Sequence, residues 1–264
     1  MTRIIKILCV SFLLLISCKN ENAKSSEKEA IFKELGIEDL MEYSDLNENE
    51  LIGKSFTLYN MFPDSKINIS FYDISNQAFG FAGVNTYRGS YSKNKDEIKF
   101  SDISRTKMTG PKEVMDAEND FIKYLENTKY MFLSEDELII ITADSQILRF
   151  RENIINIDEL KGIEFVLSNM SFETGTRITL YCENNSFVGN SGVNIYNIPF
   201  ELNNNEVTIG ERGISTLMSG AEEDMKAEDE YLKLINSAKY ISFDNYNLCI
   251  KTSDNKLLLF DIAD

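Results

Sequence analysis

Gly83-Val84-Asn85-Thr86-Tyr87 returns as Gly192-Val193-Asn194-Ile195-Tyr196, and the same 109-residue offset maps Leu51-Ile52-Gly53 onto Leu160-Lys161-Gly162. An offset shared by separate stretches marks a duplication. Its length is that of a domain, not the short period of a solenoid. The match runs on, with Thr106-Lys107-Met108-Thr109-Gly110 facing Thr216-Leu217-Met218-Ser219-Gly220 at 110 residues, so one residue has been inserted between the blocks. At that spacing Met115, Phe121, Leu125 and Lys129-Tyr130 fall on Met225, Tyr231, Ile235 and Lys239-Tyr240, and Leu138 and Phe150 fall on Leu248 and Phe260. The copies occupy residues 47–152 and 153–264. Each is about the commonest domain size, roughly 100–150 residues, and is long enough to bury its own core.

Hydrophobic periodicity gives the same element order in both copies. In the first, apolar and β-branched runs at Ser55–Tyr59, Lys66–Tyr72, Ala78–Phe81, Thr86–Tyr91 and Glu97–Phe100 predict short antiparallel strands, separated by Pro63-Asp64, Ser75-Asn76 and Lys93-Asn94-Lys95-Asp96. The period then changes. Val114, Ala117 or Glu118, Phe121 and Leu125 recur at three and four residues, which predicts a helix over Pro111 to Asn127. Three further strands are expected at Tyr130–Leu133, Leu138–Thr142 and Ile147–Arg151. The second copy repeats the order, with its helix near Ala221–Asn236 and a closing strand at Lys256–Ile262. The expected class is α+β, each unit a mainly antiparallel sheet or partial barrel packed on one helix.

The N-terminus belongs to neither copy. Arg3 and Lys6 precede an apolar run from Ile7 to Ile16, which is short for a bilayer span and has the basic and apolar regions of a secretory signal over residues 1–17. The run closes in Leu15-Ile16-Ser17-Cys18, similar to a bacterial lipobox, so Cys18 is the expected site of lipid attachment and membrane anchoring. Several acyl chains, palmitate among them, on one residue anchor more firmly than one. Residues 18–46 form a polar tether followed by a possible short helix from Lys28 to Tyr43, which carries Ile31, Leu35 and Leu40-Met41 among acids. Packing on the neighbouring domain or binding a partner are both open to it.

Composition excludes several functions. With 43 acidic against 27 basic residues the net charge is −16, which repels phosphate backbones and argues against nucleic-acid binding. There is no histidine, so a Ser-His-Asp or Cys-His arrangement and a His-ligated zinc are ruled out. No calcium-loop spacing is present, and no metal or other cofactor is expected. Paired carboxylates remain open, and they need a cleft in which two acids converge and one has a raised pKa. Cys9 leaves with the signal; Cys182 and Cys249 either form a disulfide or pack as small core residues.

The shared motif has a structural and a functional reading. Structurally, Gly83 and Gly192 supply a positive φ or a bulge, Asn85 and Asn194 cap a turn, and Tyr87 and Tyr196 bury their rings. Met108 and Met218 are then core residues. Functionally, Asn85, Tyr87, Asn194 and Tyr196 line a small ligand pocket or a partner surface.

Gly-x-Asn-x-Tyr after two strands, Thr-x-Met before a helix, and a Leu- and Phe-rich closing hairpin together resemble the META domain family, which includes the HslJ-like bacterial lipoproteins. The resemblance covers nearly all of both copies. Family members usually carry a cysteine between the Gly and the Asn and another shortly after Thr-x-Met; here Val84 and Val193, and Gly110 and Gly220, hold those places. Phe56 and Phe165 stand where an aromatic follows the opening glycine. Loss of both cysteines in both copies implies that the two positions are close in space. The resemblance implies a non-catalytic envelope lipoprotein that binds a protein or envelope component, with roles in envelope maintenance or stress tolerance. An enzyme acting on an envelope polymer through paired carboxylates is the alternative.

Overall fold

The computed structural model describes residue 33 and residues 44–72, 75–95, 97–134, 136–170, 175, 177–210 and 214–263. The chain divides into two compact units, Met1–Ser44 and Asp45–Asp264. The expected export signal, Cys18 and, apart from Lys33, the helix expected from Lys28 to Tyr43 lie outside the described residues. Residues 45–264 hold both copies of the repeat.

β1 (Ser44–Asp45) and a single helical turn, α1 (Glu48–Leu51), lead into the first copy. Its strands are β2 (Ser55–Leu58), β3 (Asn68–Ser70), β4 (Gln77–Phe81), β5 (Thr86–Asn94) and β6 (Glu97–Arg105), then α2 (Lys112–Glu126), β7 (Thr128–Leu133), β8 (Glu137–Thr142) and β9 (Ile147–Glu152). The sheet runs β1-β7-β8-β9-β2-β3-β4-β5-β6, and β6 also lies against β7.

After a 3-10 turn at Ile157–Leu160, the second copy repeats the plan. Its strands are β10 (Phe165–Leu167), β11 (Thr179–Glu183), β12 (Ser186–Asn190), β13 (Ile195–Asn203), β14 (Glu206–Ile209) and β15 (Ile214–Ser215). They are followed by α3 (Glu222–Ile235), β16 (Ala238–Phe243), β17 (Asn247–Thr252) and β18 (Leu257–Ile262). Here β13 is long enough to pair with β12 through Ile195–Pro199 and with β14 through Phe200–Asn203, which closes the sheet on itself. The two tandem domains are therefore mostly β, each an antiparallel, barrel-like sheet with few helices.

Alternation fills each barrel. Tyr87, Gly89 and Tyr91 on β5, and Tyr196, Ile198 and Phe200 on β13, point inward, while their neighbours face outward. Each domain has its own core: Phe56, Phe71, Tyr91, Phe100, Phe121 and Phe150 in the first, and Phe165, Phe187, Phe200, Tyr231 and Phe260 in the second. A barrel of this size has room for side chains and little else. The hairpin β5–β6 extends further than its apolar run predicts, to Asn94 and Arg105. Ladder pairing continues there through polar residues, with Tyr87 opposite Arg105. That extension carries Arg105 to the helix.

Candidate functional site

The shared motifs of each copy meet as one hydrogen-bonded lock. Asn85 is buried. Its side-chain oxygen accepts from Thr106 Oγ1 at 2.8 Å and Met108 N at 2.6 Å, and its nitrogen donates to Met108 O at 3.2 Å and Glu118 Oε1 at 2.9 Å. Glu118 on α2 also accepts from Val84 N, Asn85 N and Arg105 Nη1. In the second copy Asn194 accepts from Thr216 Oγ1 and Met218 N, both at 2.7 Å, and donates to Met218 O and to Glu228 Oε2. Glu228 accepts from Val193 N, Asn194 N and Ser191 Oγ. Each buried glutamate thus holds four hydrogen bonds. The fourth donor differs: Arg105 in the first copy, Ser191 in the second, where Ala82 and Ser215 are the matching residues. Burial pushes the Glu228 carboxyl up, but the bonds from Ser191, Asn194 and the Asn194 and Val193 N–H groups outweigh it and hold the group below the ordinary range.

Two expectations need correction. Asn85 and Asn194 do not cap their own turns; they fasten a loop more than twenty residues away. Met108 and Met218 are not core residues, since they are 65% and 55% exposed. What the lock binds is the methionine N–H and C=O, and the residue itself stays exposed. Gly83 and Gly192 do take positive φ, 122° and 123°. Tyr87 and Tyr196 are buried, their hydroxyls donating to Asn68 O at 3.0 Å and Thr179 O at 2.9 Å. Their rings meet Phe121 and Tyr231 edge-on, with centroids 5.5 Å apart in both copies.

Val84 and Val193 sit on Gly110 and Gly220. A Cβ built on Gly110 would lie 3.4 Å from Val84 Cβ and 2.5 Å from its Cγ2; on Gly220 the Cβ distance to Val193 is 3.5 Å. The two positions are adjacent, and valine fills the space in both domains. Cys182 and Cys249 are buried free thiols. Cys182 packs in the second core, and burial raises its thiol to about 12.

Sequence reasoning missed Glu118 and Glu228 as paired determinants. Their identity at the 110-residue offset was the available signal. It also missed the contact between the domains, where the outer face of β2–β3 meets the β16–β17 hairpin. Asp244 Oδ2 accepts from Ser70 Oγ at 3.2 Å, and Asp244 Oδ1 accepts from the N–H groups of Tyr246 and Asn247. Ser242 donates to Gly53 O, and its hydroxyl oxygen lies 3.3 Å from that of Tyr72. Phe81 and Tyr246 bring their rings within 5.9 Å. Asn205 binds the connecting segment, donating to Asn153 O and accepting from Ile155 N. Burial holds Asp244 above the ordinary carboxylate value, outweighing those hydrogen bonds. Glu152 is raised for the same reason despite Lys54 at 2.9 Å.

Clefts open along this contact. One, of about 410 Å³, is bordered by Tyr87, Arg88 and Arg105 from the first domain and Asp244, Tyr246 and Asn247 from the second. Tyr87 thus edges a cavity. Another, of about 490 Å³, lies beside the connection, between Tyr59, Arg151 and Phe243. Among the described residues no group of His, Cys, Asp and Glu is arranged to hold a metal ion.

The family model of the META domain matches the chain twice, over residues 49–154 and 158–264. The chain belongs to the META domain family and carries two copies in tandem. No curated protein matches it. Among solved structures it is similar to an NMR structure of a protein from Burkholderia xenovorans, with 15% identity and a TM-score of 0.38, covering 44% of this chain and 92% of that one. A second NMR structure shares 17% identity at a TM-score of 0.34, covering 40% and 94%. The crystal structure of a DUF4847 family protein from Bacteroides vulgatus shares 14% at 0.31, covering 40% and 96%.

Proposed function

We propose that this tandem META-domain protein is a non-catalytic cell-envelope protein, anchored to a bacterial membrane by lipid on Cys18, that binds a protein or envelope component in envelope maintenance or stress tolerance. The observation that supports it best is the lock. Both copies commit their shared polar residues, Asn85 with Glu118 and Asn194 with Glu228, to fastening a loop to a helix, and a residue so saturated is scaffold. The acids with raised pKa weigh against paired-carboxylate chemistry. Glu152 is engaged by Lys54 and Asn205, and Asp244 by Ser70 and two backbone N–H groups, each within its own set of partners. The acidic surface does not suit nucleic acid, and the anchor holds the folded domains at the envelope on a polar tether.

Two measurements test this. Labelled palmitate is expected to enter the wild-type chain and not the Cys18→Ser variant, whose release from the membrane fraction follows. Envelope extract passed over the immobilised mature chain is expected to leave one or a few stoichiometric components bound. Retention of none, together with turnover of an envelope polymer by the purified chain, would replace this reading with the enzymatic one.

A further inference from the structure

A third interdomain cleft, of about 380 Å³, differs from the others in its charge. It gathers Lys54 from the first domain and Lys239 and Lys251 from the second. Three lysines lining one cleft stand out in a chain of net charge −16. Lys54 is balanced by Glu152 at 2.9 Å. The other two form no such pair among the described residues, although the charge of Glu50 acts favourably on Lys251. Lys251 spends a donor on Asn49 O at 3.0 Å, its stem lying against Gly53, where an added Cβ would come within 3.2 Å of it. Among the described residues, Lys239 and Lys251 form no ion pair with a carboxylate. Glu206 is the single acid on the cleft wall. Burial, and after it the charge of Lys54, pulls the Lys251 ammonium below its ordinary value.

An anion between like charges in a half-buried cleft relieves both their repulsion and their desolvation. Lysine acts on phosphate as a point charge, whereas planar carboxylate recognition favours the arginine fork. Thr208, Ser253 and Asn255 are exposed on the same wall and supply further donors. The volume suits a small molecule rather than a single ion, and domain interfaces are where such sites concentrate.

We infer that this cleft binds a phosphate-bearing small ligand or headgroup, with Lys239 and Lys251 as its charge partners and Thr208 and Ser253 as hydroxyl donors. The site is independent of the lipid anchor and of any protein partner. Lys54 of the first domain borders the same cleft, its ammonium already paired with Glu152.

The full chain titrated calorimetrically with inorganic pyrophosphate tests it. Saturable one-to-one binding that weakens as salt rises is expected. Lys239→Gln, at an exposed position, should bind at least tenfold more weakly with an unchanged melting curve, and Glu206→Gln no more weakly than wild type. Vesicles of phosphatidylcholine with and without phosphatidic acid identify the source. Phosphatidic acid binding that is lost with Lys239→Gln assigns a lipid headgroup; pyrophosphate binding without it assigns a soluble phosphate. A wild-type chain that binds neither probe, or a Lys239→Gln chain that binds both as wild type does, overturns the assignment.

Discussion

At the scale of the residue, the departure of this chain from its family has a simple geometric account. Val84 and Gly110 occupy places where relatives usually carry cysteine, and their Cβ positions lie 3.4 Å apart, at the edge of the separation a disulfide requires. Gly110→Cys alone would clash with Val84 Cγ2 at 2.5 Å and is expected to destabilise. Val84→Cys with Gly110→Cys removes the clash and should close a disulfide on oxidation, stabilising the domain by about 3.5 kcal/mol in the chain-entropy description. Non-reducing electrophoresis and melting with and without reductant read this out; thiols that stay titratable after oxidation would refute it. The proximity of these positions was legible in the sequence, because both partners were lost together in both copies. The role of Asn85 was not legible: a turn cap and a tie to Met108, twenty-three residues on, look alike in a single sequence.

At the scale of the element, each helix is fixed to its barrel by one carboxylate, and the two copies supply its fourth donor differently. Arg105 reaches Glu118 because β6 pairs onward to Tyr87; at the equivalent ladder position the second copy has Ser215 opposite Tyr196. There Ser191 bonds the glutamate instead, at the place of Ala82. Arg105→Ser should therefore cost about 2 kcal/mol, since a hydrogen bond to a buried charge is lost while three remain. Adding Ala82→Ser should recover a large part of that cost, as measured by urea unfolding. Equal stability of the single and double variants would show that the serine is not a substitute donor. The elements themselves were legible, because agreement between copies sharpened each period. The glutamate was hidden by its surroundings: Glu228 lies in the run Glu228-Asp229-Glu230, whose composition is that of a solvated helix face, yet Glu228 is 2% exposed. A paired turn shows the same economy, with Thr142 donating to Asp144 and Thr252 to Asp254 in the hairpins that end each copy.

At the scale of the whole molecule, the duplication matters less than the contact it permits. The barrels share a plan, but their mutual surface is built from residues the copies do not share: Ser70 and Tyr72 on one side, Ser242 and Asp244 on the other. Comparison of the copies brings out what is common, so it could not reveal an interface made from what differs. That interface contains a carboxylate held up by burial, which gives it a signed pH dependence. Asp244 has a folded pKa above its unfolded value of about 3.8, so its protonated form favours the folded state. Its contribution is fully favourable below the unfolded value and is lost as pH rises through the folded one. Groups held low, such as Glu228, act in the opposite sense and lose stability in acid, so the wild-type curve alone mixes the two. Asp244→Asn separates them. The stability of wild type minus that of Asp244→Asn should move in favour of wild type as pH falls from about 8 to about 4, by at most about 1.4 kcal/mol for every tenfold by which folding tightens proton binding at Asp244. Because Asp244 touches Ser70 across the contact, the change should appear in the coupling of the two domains, as a merging of their unfolding transitions at the acid end of the range. A difference that stays constant over the same series would mean that folding leaves the proton affinity of Asp244 unchanged.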